Sequence, residues 1–233
     1  MAEHIDWEAY YQQEAAIFEC SPCSDMFAIH RCLAAWLVLP HSEMESLIDV
    51  GCGDGYFCHW IAERVRVARI VGVDVSRPRI QRAMATYPEV EYAWGRLPKL
   101  PFRADEFQVA TCIEVLEHQE EPVAALREVA RIVQRHVVIT VPDRREPQTV
   151  LCPHCLKTFP ASGHLHFFDP SGLAQTVQEA GLKVENLKVY YSAPYAARNL
   201  LLRLAGRCLK GLRTLMRPQP RGKYLACLAS KRR

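Results

Sequence analysis

Seven short apolar runs recur along the chain: Ser46 to Val50, Arg69 to Asp74, Val90 to Trp94, Phe107 to Ile113, Val137 to Val141, Lys183 to Tyr191 and Tyr224 to Ser230. Each has the length and composition of one buried strand. Between them, Tyr56 to Val65, Arg77 to Thr86, Val123 to Val133 and Ser171 to Ala180 carry apolar residues at three- and four-residue spacing, the signature of helices with one buried face. The last of these is punctuated as a helix should be, with Pro170 and Ser171 at its start and Gly181 just past its end. Strands that alternate with helices need crossover connections, so the pattern predicts an α/β fold with a mostly parallel seven-stranded sheet and helices on both faces.

Three regions stand outside this alternation. Residues 1–45 read as one or two helices laid over the sheet as a cap, and residues 142–168 as an insertion after the fifth strand, rich in Pro, Cys and His. Residues 194–217 read as a basic amphipathic helix, with Arg203, Arg207, Lys210, Arg213 and Arg217 on one side and Leu201, Leu204, Cys208, Leu212 and Leu215 on the other. Such a helix either covers the sheet with its arginines in water or lies on an anionic membrane surface, in which case the ligand would be lipid-like. The 233 residues are expected to form a single domain.

Charge narrows the partners. With 29 basic and 26 acidic residues the formal charge is +3, without the excess that nucleic-acid binding demands, so a small molecule is the expected partner. The N-terminus, MAEHIDWEAYYQQE, lacks the basic start and apolar run of a secretory signal. The ten cysteines are therefore expected to be reduced and the chain cytoplasmic. No stretch approaches the roughly 20 apolar residues that cross a bilayer; membrane contact would be peripheral at most.

The first strand, Leu47-Ile48-Asp49-Val50, runs into Gly51-Cys52-Gly53-Asp54-Gly55 and then a helix. Alternate glycines there let the backbone turn sharply and approach a ligand, because no Cβ stands in the way. The second strand ends in Asp74, where a carboxylate at the carboxyl edge of a sheet can accept hydrogen bonds from ribose hydroxyls. A dinucleotide fingerprint would continue G-x-G-x-x-G, whereas Tyr56 and Phe57 follow here, which disfavours a pyrophosphate and an NAD-linked oxidoreductase.

Taken in succession, LIDVGCGDGYF, IVGVDVS and LPFRADEFQVATCIEVLEH resemble the motifs of class I S-adenosylmethionine-dependent methyltransferases, of the type related to ubiquinone and menaquinone biosynthesis. The resemblance covers about residues 46–190 and implies a Rossmann-like fold with S-adenosyl-L-methionine as cofactor. It implies that Asp49, Gly51 and Gly53 hold the methionine part, that Asp74 holds the ribose and that Leu97 flanks the adenine. Glu117 and His118 close the fourth-strand motif beside the cofactor, and Cys52, Val75, Arg96 and Glu114 belong to the same cofactor-facing set. Two positions depart from the family: Arg96 stands where an Asp usually meets the adenine amino group, and Gln108 where an Asp usually follows Phe107.

Methyl transfer is an in-line displacement, so a protein helps chiefly by alignment, and a general base adds to this when the acceptor is a hydroxyl. His118 and His164 are the candidates for that base. His118 could equally shape the pocket through hydrogen bonds, and His164 lies in a Gly-His pair of a kind that related methyltransferases carry before the helix after this loop. Trp7, Tyr10 and Tyr11 are candidates for an aromatic lid. Cys152 and Cys155 have the spacing of a zinc-binding pair, with His164 and His166 nearby and a second pair, Cys20 and Cys23, in the cap. A structural zinc on Cys20, Cys23, Cys152 and Cys155 is the expected arrangement, since cap and insertion should meet at the same sheet edge. The sequence thus predicts a methyltransferase acting on a small molecule, most naturally at oxygen; the alternative is a catalytically silent binding domain of the same fold.

Overall fold

The computed structural model describes residues 6–17, 26–40, 44–143, 149–151, 156, 158–160, 163–191 and 223–231. In chain order these form α1 (Trp7–Ile17), α2 (Met26–Trp36), β1 (Met44–Val50), α3 (Tyr56–Ala62), β2 (Val67–Asp74), α4 (Arg77–Thr86) and β3 (Glu91–Trp94). There follow β4 (Phe107–Ile113), a 3₁₀ turn (Leu116–His118), α5 (Pro122–Ile132), β5 (Val133–Pro142), β6 (Thr149–Leu151), β7 (Thr158–Pro160), α6 (Pro170–Glu179), β8 (Leu182–Tyr191) and β9 (Lys223–Lys231).

All seven expected strands fall into one sheet, in the order β3-β2-β1-β4-β5-β9-β8. Strands β1 to β5 pair in parallel, while β9 runs antiparallel to both β5 and β8. Alternation within the central strands serves two cores. Val137, Ile139 and Val141 of β5 face Leu126 and Val129 of α5 and Leu173 and Val177 of α6, whereas Val138 faces the side of Ala34, Phe57, Ile61 and Ile80 from α2, α3 and α4. Strands buried on both faces need apolar residues at nearly every position, which is why the runs read so clearly in the sequence.

Small differences have local causes. Helix α3 ends at Ala62, short of the expected Val65, because Arg64 N–H bonds back three residues to Ile61 O at 2.9 Å and tightens the last turn. Strand β5 starts at Val133, ahead of the apolar run, by pairing Val133 with Phe107 before an irregularity in register. Helix α6 starts as expected at Pro170, and Asp169 Oδ1 accepts from Gly172 N–H at 2.8 Å as its cap.

Of the insertion, β6 and β7 form a two-stranded antiparallel hairpin, and Asp143 bridges in parallel to Phe168 where the chain returns to the sheet. The basic segment 194–217 lies outside the described residues. Among the described residues no helix is long and apolar enough to cross a membrane.

Candidate functional site

Strands β1 and β4 are neighbours whose following connections leave to opposite faces of the sheet. Their carboxyl ends therefore flank a crevice, the place where open α/β sheets bind ligands. The loop after β1 is tied down by two N–H groups, Gly51 at 2.7 Å and Cys52 at 3.1 Å, both donating to Val73 O of β2. A Cβ on Gly51 would lie 2.3 Å from Val115 Cγ2, so that glycine is filled in by the protein itself. At Gly53, with φ at +54°, the nearest atom to such a Cβ is Arg79 Nη1 at 3.8 Å, an ordinary contact without the crowding found at Gly51.

Gly53 N–H donates to Asp74 Oδ2 and Ser76 N–H to Asp74 Oδ1, each at 2.8 Å. Burial raises the Asp74 carboxyl above its ordinary range, opposed by these two N–H groups and by Arg79. Each oxygen keeps acceptor capacity for a hydroxyl. An uncrowded glycine beside a carboxylate so oriented fits the ribose and sulfonium end of an adenosyl cofactor.

The other residues expected at the cofactor occupy distinct layers. Asp49 is 2% exposed and its carboxylate engages the core, accepting from Thr111 Oγ1 at 2.6 Å and from Cys58 Sγ at 3.8 Å. Burial pushes its pKa up to about 7 against these bonds. Cys52 is buried, with Sγ 3.7 Å from Gly53 O, and burial raises its thiol well above the usual range. Val75 offers its carbonyl to Trp94 Nε1 at 2.9 Å, and Leu97 is buried beyond β3. Glu114 adopts φ +55°, an unfavourable backbone for a residue with a Cβ, at the end of β4, where its carboxylate accepts from Thr140 Oγ1 at 3.2 Å. Arg96 points away from the sheet: its side chain is 60% exposed and pairs with Glu8 of α1 at 3.1 Å.

A second cluster adjoins the first. His118, at the end of the 3₁₀ turn, and His164 stand edge to face with ring centroids 4.9 Å apart. Glu117 is 1% exposed, with Oε1 3.9 Å from His118 Nε2. The returning chain is fixed there by Leu165 and His166 N–H groups on Glu117 O, at 2.7 and 3.1 Å. His118 Nδ1 lies 2.9 Å from Tyr11 Oη and 3.1 Å from Gly163 O. A carbonyl only accepts, so the proton belongs on Nδ1 and the lone pair on Nε2. Burial lowers the His118 pKa to about 4, which leaves the ring neutral at physiological pH.

The cap and the returning loop meet at this edge, as expected, through Trp7, Tyr11, Gly163 and His118. A Cβ on Gly163 would come within 3.0 Å of Trp7 and 3.3 Å of Tyr11 Oη. Cys20, Cys23, Cys152 and Cys155 lie outside the described residues. Glu117, His118 and His164 bring one potential ligand atom each within 4.8 Å of one another, a donor set that a divalent cation could use.

Sequence reasoning missed how α1 is held. The Gln12 amide donates from Nε2 to Val75 O at 2.8 Å and accepts from Arg77 N–H at 3.1 Å. Arg79 pairs with Glu14 at 2.6 Å and Asp54 at 3.3 Å, and Arg82 with Asp54 at 3.0 Å and Ala15 O at 2.7 Å. No local pattern marks polar residues on one helix as partners of a loop more than sixty positions away.

A family described as methyltransferase domain matches residues 26–187. A ubiquinone biosynthesis O-methyltransferase from Alkalilimnicola ehrlichii is 30% identical over 184 residues, covering 73% of this chain and 73% of that protein. An S-adenosylmethionine-dependent methyltransferase from Mesorhizobium loti superposes with a TM-score of 0.62 at 18% identity, over 89% of this chain and all of that one. The cyclase SpnF superposes with a TM-score of 0.61 at 19% identity, over 86% of this chain and 79% of its own. The fold thus also hosts chemistry named otherwise, and function has to be argued from the site.

Proposed function

The chain belongs to the methyltransferase domain family and is an S-adenosylmethionine-dependent methyltransferase; from that premise we propose that it methylates a small molecule at a hydroxyl oxygen. The observation that carries this reading is the adjacency of two groups under α1: the Gly53–Asp74–Ser76 cradle and the paired imidazoles of His118 and His164.

In this reading Asp74 accepts from the ribose hydroxyls, and the uncrowded side of Gly53 admits the methionine end. Asp49 supports the loop from beneath through Thr111 and Cys58. Leu97 borders the adenine, while Arg96 serves the cap through Glu8. The bound cofactor supplies a methyl group on a sulfonium. With that group bound, His118 Nε2 would take the proton of an acceptor hydroxyl whose oxygen receives the methyl, the cofactor leaving as its demethylated thioether. Glu117 lies beside that ring, with Oε1 3.9 Å from Nε2. His164 is the second residue able to hold that proton. The curated relative named as an O-methyltransferase supports oxygen as the atom.

The test is incubation with trideuteromethyl-labelled cofactor and a panel of phenols, aliphatic alcohols, carboxylic acids and amines, read by mass spectrometry. Label on phenol or alcohol oxygen is expected, and exclusive transfer to nitrogen or carbon would sink the reading. A structural zinc on Cys20, Cys23, Cys152 and Cys155 is a separate proposal, resting on their spacing. Metal analysis of the purified chain should then find one zinc per chain, lost in Cys152→Ser.

A further inference from the structure

Residues 11 and 12 of α1 are adjacent in sequence and touch the two halves of the site separately. Gln12 reaches the segment just after Asp74: its amide splices into the backbone of 75–77 with its donor on Val75 O and its acceptor on Arg77 N–H. Between those two anchors lies Ser76, fully buried, which gives its N–H to Asp74 Oδ1 and its hydroxyl to Tyr11 O at 3.3 Å. Tyr11 in turn places its phenol 2.9 Å from His118 Nδ1. Burial raises the phenol's pKa further, so it remains a neutral hydroxyl beside the ring.

We propose that Gln12 is a positioning residue that couples cofactor binding at Asp74 to the orientation of His118, with the Tyr11 hydroxyl as the second arm of the bridge. This coupling rests on the proposed role of Asp74 in holding the cofactor. A ligand that accepts the Asp74 carboxylate as its partner draws on the same oxygens that hold Gly53 and Ser76. Any adjustment of Ser76 moves the two backbone groups beside it, and the Gln12 amide, held at both ends, carries that movement into α1. An amide is suited to this because it is at once donor and acceptor in one plane. The other ties of α1 run through long side chains: the ion pairs of Glu8 with Arg96 and Glu14 with Arg79, and the bond from Arg82 to Ala15 O, none of which reaches residues 75–77.

The coupling can be read without knowing the acceptor. In the full chain labelled with ¹⁵N-histidine, with the His118 ring signals identified by their loss in His118→Gln, saturation with S-adenosylhomocysteine should shift those signals. In Gln12→Ala the affinity for S-adenosylhomocysteine should fall about tenfold, as expected for two lost hydrogen bonds, and at saturation the His118 signals should no longer respond. Gln12→Glu keeps the side-chain length and the acceptor but loses the donor to Val75 O, and should give the same uncoupling; a role in helix packing alone would leave the response intact. Tyr11→Phe should remove the response while changing affinity less than about twofold, because it leaves Gln12 in place. A His118 response in Gln12→Ala equal to that of the unaltered chain overturns the coupling alone. Failure of the unaltered chain to bind S-adenosylhomocysteine overturns the cofactor assignment and the coupling with it.

Discussion

The two halves of the site are built in opposite ways. The proposed cofactor half is held by backbone: the loop at Gly51–Gly53 hangs from Val73 O, and the Asp74 carboxylate is oriented by the N–H groups of Gly53 and Ser76. Its parts lie at the ends of two adjacent strands and are placed by sheet registry, with Gln12 of α1 adding two bonds to the backbone just beyond Asp74. The proposed acceptor half joins three distant stretches, with the Tyr11 hydroxyl and the Gly163 carbonyl meeting at one nitrogen of the His118 side chain. A backbone site inherits the rigidity of the sheet, whereas a side-chain site exists only while the cap and the returning loop are both docked.

This contrast can be broken at several points. The largest effect should come from His118→Ala, which is expected to reduce turnover by roughly 10² to 10⁴, the usual worth of a positioned base. Affinity for S-adenosylhomocysteine, measured by calorimetry, should stay within about twofold, because in this reading His118 makes no bond to the cofactor. Asp74→Ala should do the reverse. It removes a buried acceptor shared by two N–H groups, for an expected loss of about 3 kcal/mol, or roughly a hundredfold, in calorimetric affinity.

A pH test sharpens the same distinction from beneath the loop. Burial raises Asp49 from 3.8 to about 7, so the folded state favours its protonated form. The stability it contributes is complete below about pH 4 and is lost as pH rises through about 7. Asp49→Asn keeps an acceptor for Thr111 and cannot ionise. Thermal unfolding should therefore show the variant gaining on the parent by roughly 5 °C between pH 4.5 and pH 8.5; an unchanged difference would mean that Asp49 is solvated. The smallest effect belongs to Arg96→Ala, which breaks a half-exposed ion pair with Glu8 worth less than about 1 kcal/mol. It should change cofactor affinity less than about fivefold. A larger loss would return Arg96 to the adenine contact expected of that position.

How much of this was legible follows from the same difference. Strands β1, β2, β4 and β5 read clearly because burial on both faces leaves little room for polar residues, Asp49, Thr111 and Thr140 being the buried exceptions, and the glycines and Asp74 read clearly because local backbone geometry demands them. Glu114 and Arg96 were recognised by position but not by conformation, since nothing in the sequence betrays a left-handed backbone at one or a partner at residue 8 for the other. Gln12 was invisible, as its partners are the main chain of Val75 and Arg77, which any residues would supply. His118 and His164 were singled out as types, and only the fold shows that their rings touch.

One feature of the sheet bears on how the chain comes to be whole. Strand β9 lies between β5 and β8, although β8 precedes it in sequence. During synthesis β5 must therefore wait with an open apolar edge, Val137 through Val141, until residues 223–231 emerge and are threaded into the gap. An unpaired strand edge of that kind invites pairing with another copy. Ribosomes stalled between β8 and β9 should accordingly hold a chain that requires chaperone protection, and release of β9 should end that requirement.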